Sequence, residues 1–175
     1  RGLGDVYKRQ LAPLGANDTW PERHAVVIGC GGSARAVVAG LQTLDLSSIT
    51  VVGRRSEALQ AFITDLQQDK APLTPCLDNA VQLNDAIARA ALVVNTTPVG
   101  MALHGNPEAM PLGADIWCKL SSEAVLYDLI YTPRPTSWLA AGQQRGHRCI
   151  DGLEMLVQQG AASLRLWSGR DDVPV

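Results

Sequence analysis

Hydrophobic residues in this chain fall into short blocks that alternate between two periods. Ala25-Val-Val-Ile28, Ile49-Thr-Val-Val52, Leu92-Val-Val-Asn95 and Val125-Leu-Tyr-Asp128 are runs of the length and β-branched content expected of strands buried on both faces. Between them, apolar positions recur at spacings of three and four: Val37, Val38, Leu41 and Leu44, then Ala58, Leu59, Phe62, Ile63 and Leu66, then the stretch Leu83 to Ala91. These predict helices. A further helix is expected from about Thr136 to Arg145, closed by Gly146, and a last one from about Leu153 to Trp167. Arg148-Cys-Ile150 reads as a short final strand, and Pro72 and Pro75 bracket a weaker one. Strands alternating with helices predict an α/β fold, a doubly wound parallel sheet of the Rossmann kind, as one domain over residues 11–175. Residues 1–10 are polar and aperiodic and read as a disordered or foreign tail. Leu11 to Glu22, with Pro13, Gly15 and Pro21, reads as a lead-in loop or a short helix end.

In such sheets ligands gather at the carboxyl ends of the strands. The first strand breaks there into Gly29-Cys30-Gly31-Gly32-Ser33-Ala34 and then into a helix. Gly29 permits the tight turn, Gly31 leaves backbone amides bare toward a pyrophosphate, and Ala34 is small enough for the helix to close on its strand. The phosphates would sit at the helix N-terminus, where free amides and the macrodipole favour negative charge. An NAD site places an Asp or Glu about 20 residues beyond the glycines, on the ribose hydroxyl. Here the second strand ends instead in Gly53, Arg54 and Arg55. Guanidinium groups pair with a 2′-phosphate that a carboxylate would repel, so the cofactor expected is NADP. Ser56 either adds a hydroxyl donor to that phosphate or caps the next helix, which starts near Glu57.

Composition adds exclusions. The chain has 175 residues, 46% hydrophobic and 18% charged, with a formal charge of −2. That balance gives no electrostatic case for nucleic acid or an anionic membrane, and no apolar run is long enough to span a bilayer. The cysteines Cys30, Cys76, Cys118 and Cys149 are far apart, form no CxxC pair and offer no metal-ligand spacing with His24, His104 and His147. A reducing cytoplasm fits them. In the final helix, Leu153, Leu156, Val157, Gly160, Ala161 and Leu164 form the expected core stripe, with Gly152, Met155 and Gln159 alongside. From spacing alone, Met155 and Gln159 are a gap-filling methionine and a surface glutamine.

The run Val26-Val-Ile-Gly-Cys-Gly-Gly-Ser-Ala-Arg-Ala36, then Asn95-Thr-Thr-Pro-Val-Gly-Met101, then Tyr127-Asp-Leu-Ile-Tyr-Thr-Pro133 with Thr136, and finally Asp151-Gly-Leu-Glu-Met-Leu-Val-Gln-Gln-Gly-Ala161 through Leu166-Trp-Ser-Gly169 resembles shikimate dehydrogenase. Four motifs in the right order, from about Leu11 to Val175, carry the likeness. It implies NADP-dependent reduction of 3-dehydroshikimate to shikimate, a step of aromatic amino-acid biosynthesis. It also implies that Gly29, Cys30, Gly31, Gly32, Ser33 and Ala34 hold the pyrophosphate, that Arg54, Arg55 and Ser56 stand at the 2′-phosphate, and that Thr97 contacts the cofactor. Gly53 replaces the family's Asn beside the arginines. Leu129, Gly152 and Met155 would line the nicotinamide pocket, and Tyr131 and Gln159 match the substrate-contacting Tyr and Gln. The family's catalytic Lys and Asp belong to an N-terminal substrate domain. Val6 to Gln10 matches none of the Asn-Thr-Asp-x-x-Gly-Phe segment expected there, and Asp5 is one residue out of register. The resemblance thus implies a C-terminal cofactor domain whose last helix packs toward a missing substrate domain, with no catalytic residue of its own. Quinate/shikimate dehydrogenase, glutamyl-tRNA reductase and methylenetetrahydrofolate dehydrogenase share the cofactor domain and are the first rivals. A non-catalytic NADP-binding regulatory module is the rival from another class. The oligomeric state stays open.

Overall fold

The strands predicted from the apolar runs assemble side by side in a computed structural model, which describes residues 11, 14, 20–68 and 71–169, except the side chains of 104, 162 and 166. The expectations for residues 1–10 and for most of Leu11 to Glu22 lie outside the described residues. In chain order the elements are β1 (His24–Ile28), α1 (Gly32–Leu41), β2 (Ser48–Gly53), α2 (Ser56–Leu66), β3 (Leu73–Leu77), α3 (Gln82–Ala88), β4 (Ala90–Asn95), a 3₁₀ turn (Ala102–His104), α4 (Ala114–Trp117), β5 (Val125–Asp128), α5 (Ser137–Gln144), β6 (Cys149–Ile150) and α6 (Leu153–Ser168). All strand pairs are parallel and the order across the sheet is β3-β2-β1-β4-β5-β6. That is the doubly wound order, and it reverses between β1 and β4, where a crevice opens at the carboxyl ends.

Side-chain alternation divides the core between the two faces. Ala25 and Val27 face one layer, where Val37, Val38 and Leu41 of α1 and Leu59 and Phe62 of α2 cover them. Val26 and Ile28 face the other, with Leu83 and Ile87 of α3, Trp117 of α4 and Trp138 and Leu139 of α5. Every residue of β1 is buried. Pro75 lies inside β3 rather than at its border, a position tolerated because β3 is an edge strand.

Three expectations shift. The alanine-rich stretch Leu83 to Ala91 does not stay helical, because Ala90 pairs with His24 and Leu92 with Ala25 in the central ladder. Ser56 does not cap α2: it is the helix's first residue, Arg55 occupies the N-cap position, and no side chain caps the helix. The stripe expected to be core in α6 is only partly so: Ala161 is buried and Leu153 half-buried, but the rest faces outward. Leu156, Val157 and Leu164 are 37%, 46% and 53% exposed, and Trp167 is 85% exposed, whereas Met155 and Ala161 are buried. Periodicity shows that a helix has an apolar face, not which neighbour covers it.

Candidate functional site

The carboxyl end of β1 is shaped by two constraints that only glycine meets. Gly29 has φ +110°, and a Cβ there would come within 2.5 Å of the Thr96 hydroxyl oxygen. Thr96 stands there because both its amide and its hydroxyl donate to the Ile28 carbonyl, at 3.0 and 2.7 Å. The amide of Gly29 in turn donates to the Val52 carbonyl at 2.8 Å, so the loop hangs from the ends of β2 and β4 together. Gly31 and Gly32 are different. A Cβ at either would meet nothing within 4 Å, so both open on free space.

Gly31 is also the N-cap of α1, which has neither a side-chain cap nor an acidic residue in its first turn. Its first amides therefore lack intrahelical partners, and Gly31 itself lines the opening. Such a terminus favours a bound anion. The opening is a cleft of about 430 Å³ lined by Gly29, Cys30, Gly31, Arg54, Arg55 and Thr97 among the residues expected from sequence. Arg54 and Arg55 are exposed and make no ion pair among the described residues, leaving both guanidinium groups available to a ligand. An uncapped helix start, bare glycines and two free guanidinium groups are the donor set that a phosphorylated dinucleotide requires, so these residues fit NADP.

Other wall residues were not anticipated. Asp78, placed by its amide donating to the Gly53 carbonyl at 3.2 Å, lines the cleft, as do Leu83, Leu112 and Ile116. Leu83 was legible as a helix residue, but nothing local marks its inward edge as a cleft wall. The 111–116 segment reaches the cleft only through the tertiary fold. Gly53 is buried, and a Cβ there would lie 3.3 Å from both Cys30 Sγ and Leu59 Cδ1. A side chain at position 53 would therefore press on both Cys30 and Leu59.

The remaining predicted residues lie elsewhere. Ala34, in the first turn of α1, is fully buried, Gly32 and Ser33 are exposed beside it, and Ser56 is exposed at the start of α2. Leu129 and Gly152 meet closely: a Cβ on Gly152 would lie 2.0 Å from the Leu129 carbonyl oxygen, and the Gly152 amide donates to the Ile130 carbonyl at 3.2 Å. Met155 is buried in the first turn of α6, while Tyr131 is 42% exposed and Gln159 half-buried. Neither Tyr131 nor Gln159 lines the glycine-loop cleft. Among the described residues all four cysteines are free, no His, Cys, Asp and Glu cluster suits a metal, and no helix is long and apolar enough to cross a membrane.

The chain is similar to known proteins over most of its length. Residues 152–175 match the family model of the shikimate 5′-dehydrogenase C-terminal domain. The shikimate dehydrogenase (NADP(+)) of a Synechocystis species is 46% identical over 166 residues, covering 94% of this chain and 56% of that protein. Among solved structures, shikimate dehydrogenase from Mycobacterium tuberculosis matches with a TM-score of 0.75 at 32% identity, over 95% of this chain and 58% of that one. The shikimate 5-dehydrogenase of Thermus thermophilus, solved with NADP(H) and shikimate, matches with a TM-score of 0.74 at 30% identity, over 98% of this chain and 58% of that one. The chain spans just over half the length of these relatives.

Proposed function

We propose that this chain, a relative of the shikimate dehydrogenases over nearly its whole length, is the NADP-binding domain of an enzyme that interconverts 3-dehydroshikimate and shikimate. The observation that carries the reading is the uncapped, acid-free start of α1, opening on a cleft that Arg54 and Arg55 rim. The amides of Gly31 to Ser33 would hold the diphosphate, and the guanidinium groups the 2′-phosphate. A bound nicotinamide supplies the hydride, and the protein's task is alignment. Leu129 and Gly152, packed against each other, would form the backbone edge of the nicotinamide pocket, with Met155 beneath. Tyr131 and Gln159 would face the substrate.

The cleft lining holds no lysine, and its one carboxylate is Asp78. By the resemblance, proton transfer at the substrate hydroxyl falls to the Lys and Asp of the family's N-terminal substrate domain. General acid–base assistance is worth about 10²–10⁴-fold, so the 175-residue chain alone is expected to bind NADPH without measurable turnover of 3-dehydroshikimate. Turnover near that of a full-length homologue would refute this. The outward apolar stripe of α6, with Leu156, Val157, Leu164 and Trp167, supports a helix that packs toward a second domain. A reducing, cytoplasmic setting suits the free cysteines.

The cofactor reading is tested by titrating NADPH and NADH and following nicotinamide fluorescence. A charge-assisted pair with a phosphate is worth about 1.5–3 kcal/mol, so NADPH should bind at least tenfold more tightly, and Arg54→Asp should erase the preference. Equal affinities in the unmutated protein would defeat the NADP assignment.

A further inference from the structure

Asp128, the last residue of β5, is fully buried yet is not part of the cleft lining. Its carboxylate gathers three segments. Oδ1 accepts from the Asn95 side-chain amide at 3.0 Å and from the Ile130 backbone amide at 3.1 Å. Oδ2 accepts from the Thr136 hydroxyl at 2.8 Å, and that hydroxyl oxygen caps α5 by accepting from the Leu139 amide at 3.3 Å. Asn95 is as buried as Asp128, and Thr136 is 1% exposed.

The Asn95 contact has a directional consequence. An ionised carboxylate only accepts, so Asn95 must turn its NH₂ toward Asp128 and its oxygen the other way. That oxygen receives both donors of Thr97, the amide at 3.0 Å and the hydroxyl at 2.7 Å. The Thr97 hydroxyl oxygen then accepts from the Val99 amide at 3.3 Å. Both Thr97 donors are thereby committed inward, and the turn they fix is a wall of the cleft. On the other side, the Ile130 amide anchors the loop whose Leu129 and Ile130 carbonyls meet Gly152.

We propose that Asp128 is the positioning residue for the nicotinamide half of the cofactor. Through Asn95 it sets the Thr97 turn, and through Ile130 and Thr136 it sets the Leu129–Tyr131 loop against Gly152. The assignment rests on the cofactor reading above, and the two fail differently. The adenosine half depends on the glycine loop and the arginines, whereas the Asp128 carboxylate is bonded to Asn95, Ile130 and Thr136. Of the groups aligned by Asp128, Thr97 borders the glycine loop at Gly29, whereas Leu129, Tyr131 and Gly152 lie outside that cleft lining.

The test uses the protein at its encoded length and two probes, NADPH and adenosine 2′,5′-bisphosphate, which lacks the nicotinamide half. Asp128→Ala orphans three donors, and a lost hydrogen bond to a charged group is worth about a tenfold change in affinity. NADPH should bind about tenfold more weakly, with bisphosphate affinity held within about twofold. If Asp128→Ala does not fold by circular dichroism, Thr136→Val removes one donor at constant shape. It should weaken NADPH by about threefold and again spare the bisphosphate. In whichever variant folds, equal losses for both probes, or no loss for NADPH, overturn the inference. An unmutated protein that binds neither probe overturns the cofactor reading, and the inference with it.

Discussion

Gly53 and Cys30 illustrate how one residue's identity is set by another across the cleft floor. With a Cβ at position 53 meeting Cys30 Sγ and Leu59 Cδ1 at 3.3 Å each, a larger side chain requires its neighbours to yield. Gly53→Asn should therefore cost about 1–3 kcal/mol in denaturant unfolding, the range for overpacking. Adding Cys30→Ala should restore most of that loss, and a double variant no more stable than Gly53→Asn alone would disprove the coupling. Gly29, the Gly31–Gly32 pair and the arginines were legible in the sequence because their signals are local: a φ that only glycine adopts freely, a helix start, a strand end. Asp78, Leu112 and Ile116 were not, since each reaches the cleft through pairing or packing between segments distant in sequence.

At the scale of the element, α6 was the least legible. Its extent is legible to within a residue or so, but its buried face is not: Met155 and Ala161 turn inward while Leu156, Val157 and Leu164 turn out. Two variants separate the faces. Met155→Ala should destabilise the fold by about 2 kcal/mol, the low end for a core methionine. Trp167→Lys should stay within about 0.5 kcal/mol, as exposed substitutions do, while reducing concentration-dependent association in sedimentation. If Trp167→Lys were the more damaging in unfolding, the outward assignment of the stripe would be wrong. The opposite case is β4, whose late start in the sequence reading reflects ladder pairing at Ala90 overriding the helical preference of alanine.

Across the whole molecule, the buried titratable groups His24 and Asp128 stand at opposite ends of the sheet and pull the pH dependence of stability in opposite directions. Burial, helped by the charge of Arg89 and partly offset by Ser48, lowers His24 from 6.5 to about 4. Burial, with a smaller contribution from Asp151, pushes Asp128 from 3.8 up to about 6, against the bonds from Ile130, Thr136 and Asn95. As pH falls from 6.5 toward 4, the unfolded chain takes up a proton at His24 that the folded chain refuses, and stability is lost. Over nearly the same window, from 6 toward 3.8, the folded chain holds a proton at Asp128 that the unfolded chain has released, and stability is gained. The two slopes offset. Asp128→Asn should make acid destabilisation steeper in urea unfolding across this range, and His24→Gln should make the protein firmer on acidification. An unchanged slope in both variants would rule the pair out as its source.

The two margins of the sheet carry one more consequence. β3 is interrupted by Pro75, which has no amide hydrogen to offer, and β6 is only two residues long. Neither border presents a continuous ladder on which a foreign strand could grow, which is how sheet proteins escape fibrous stacking. Any association of this fold would therefore run through side-chain surfaces rather than backbone templating.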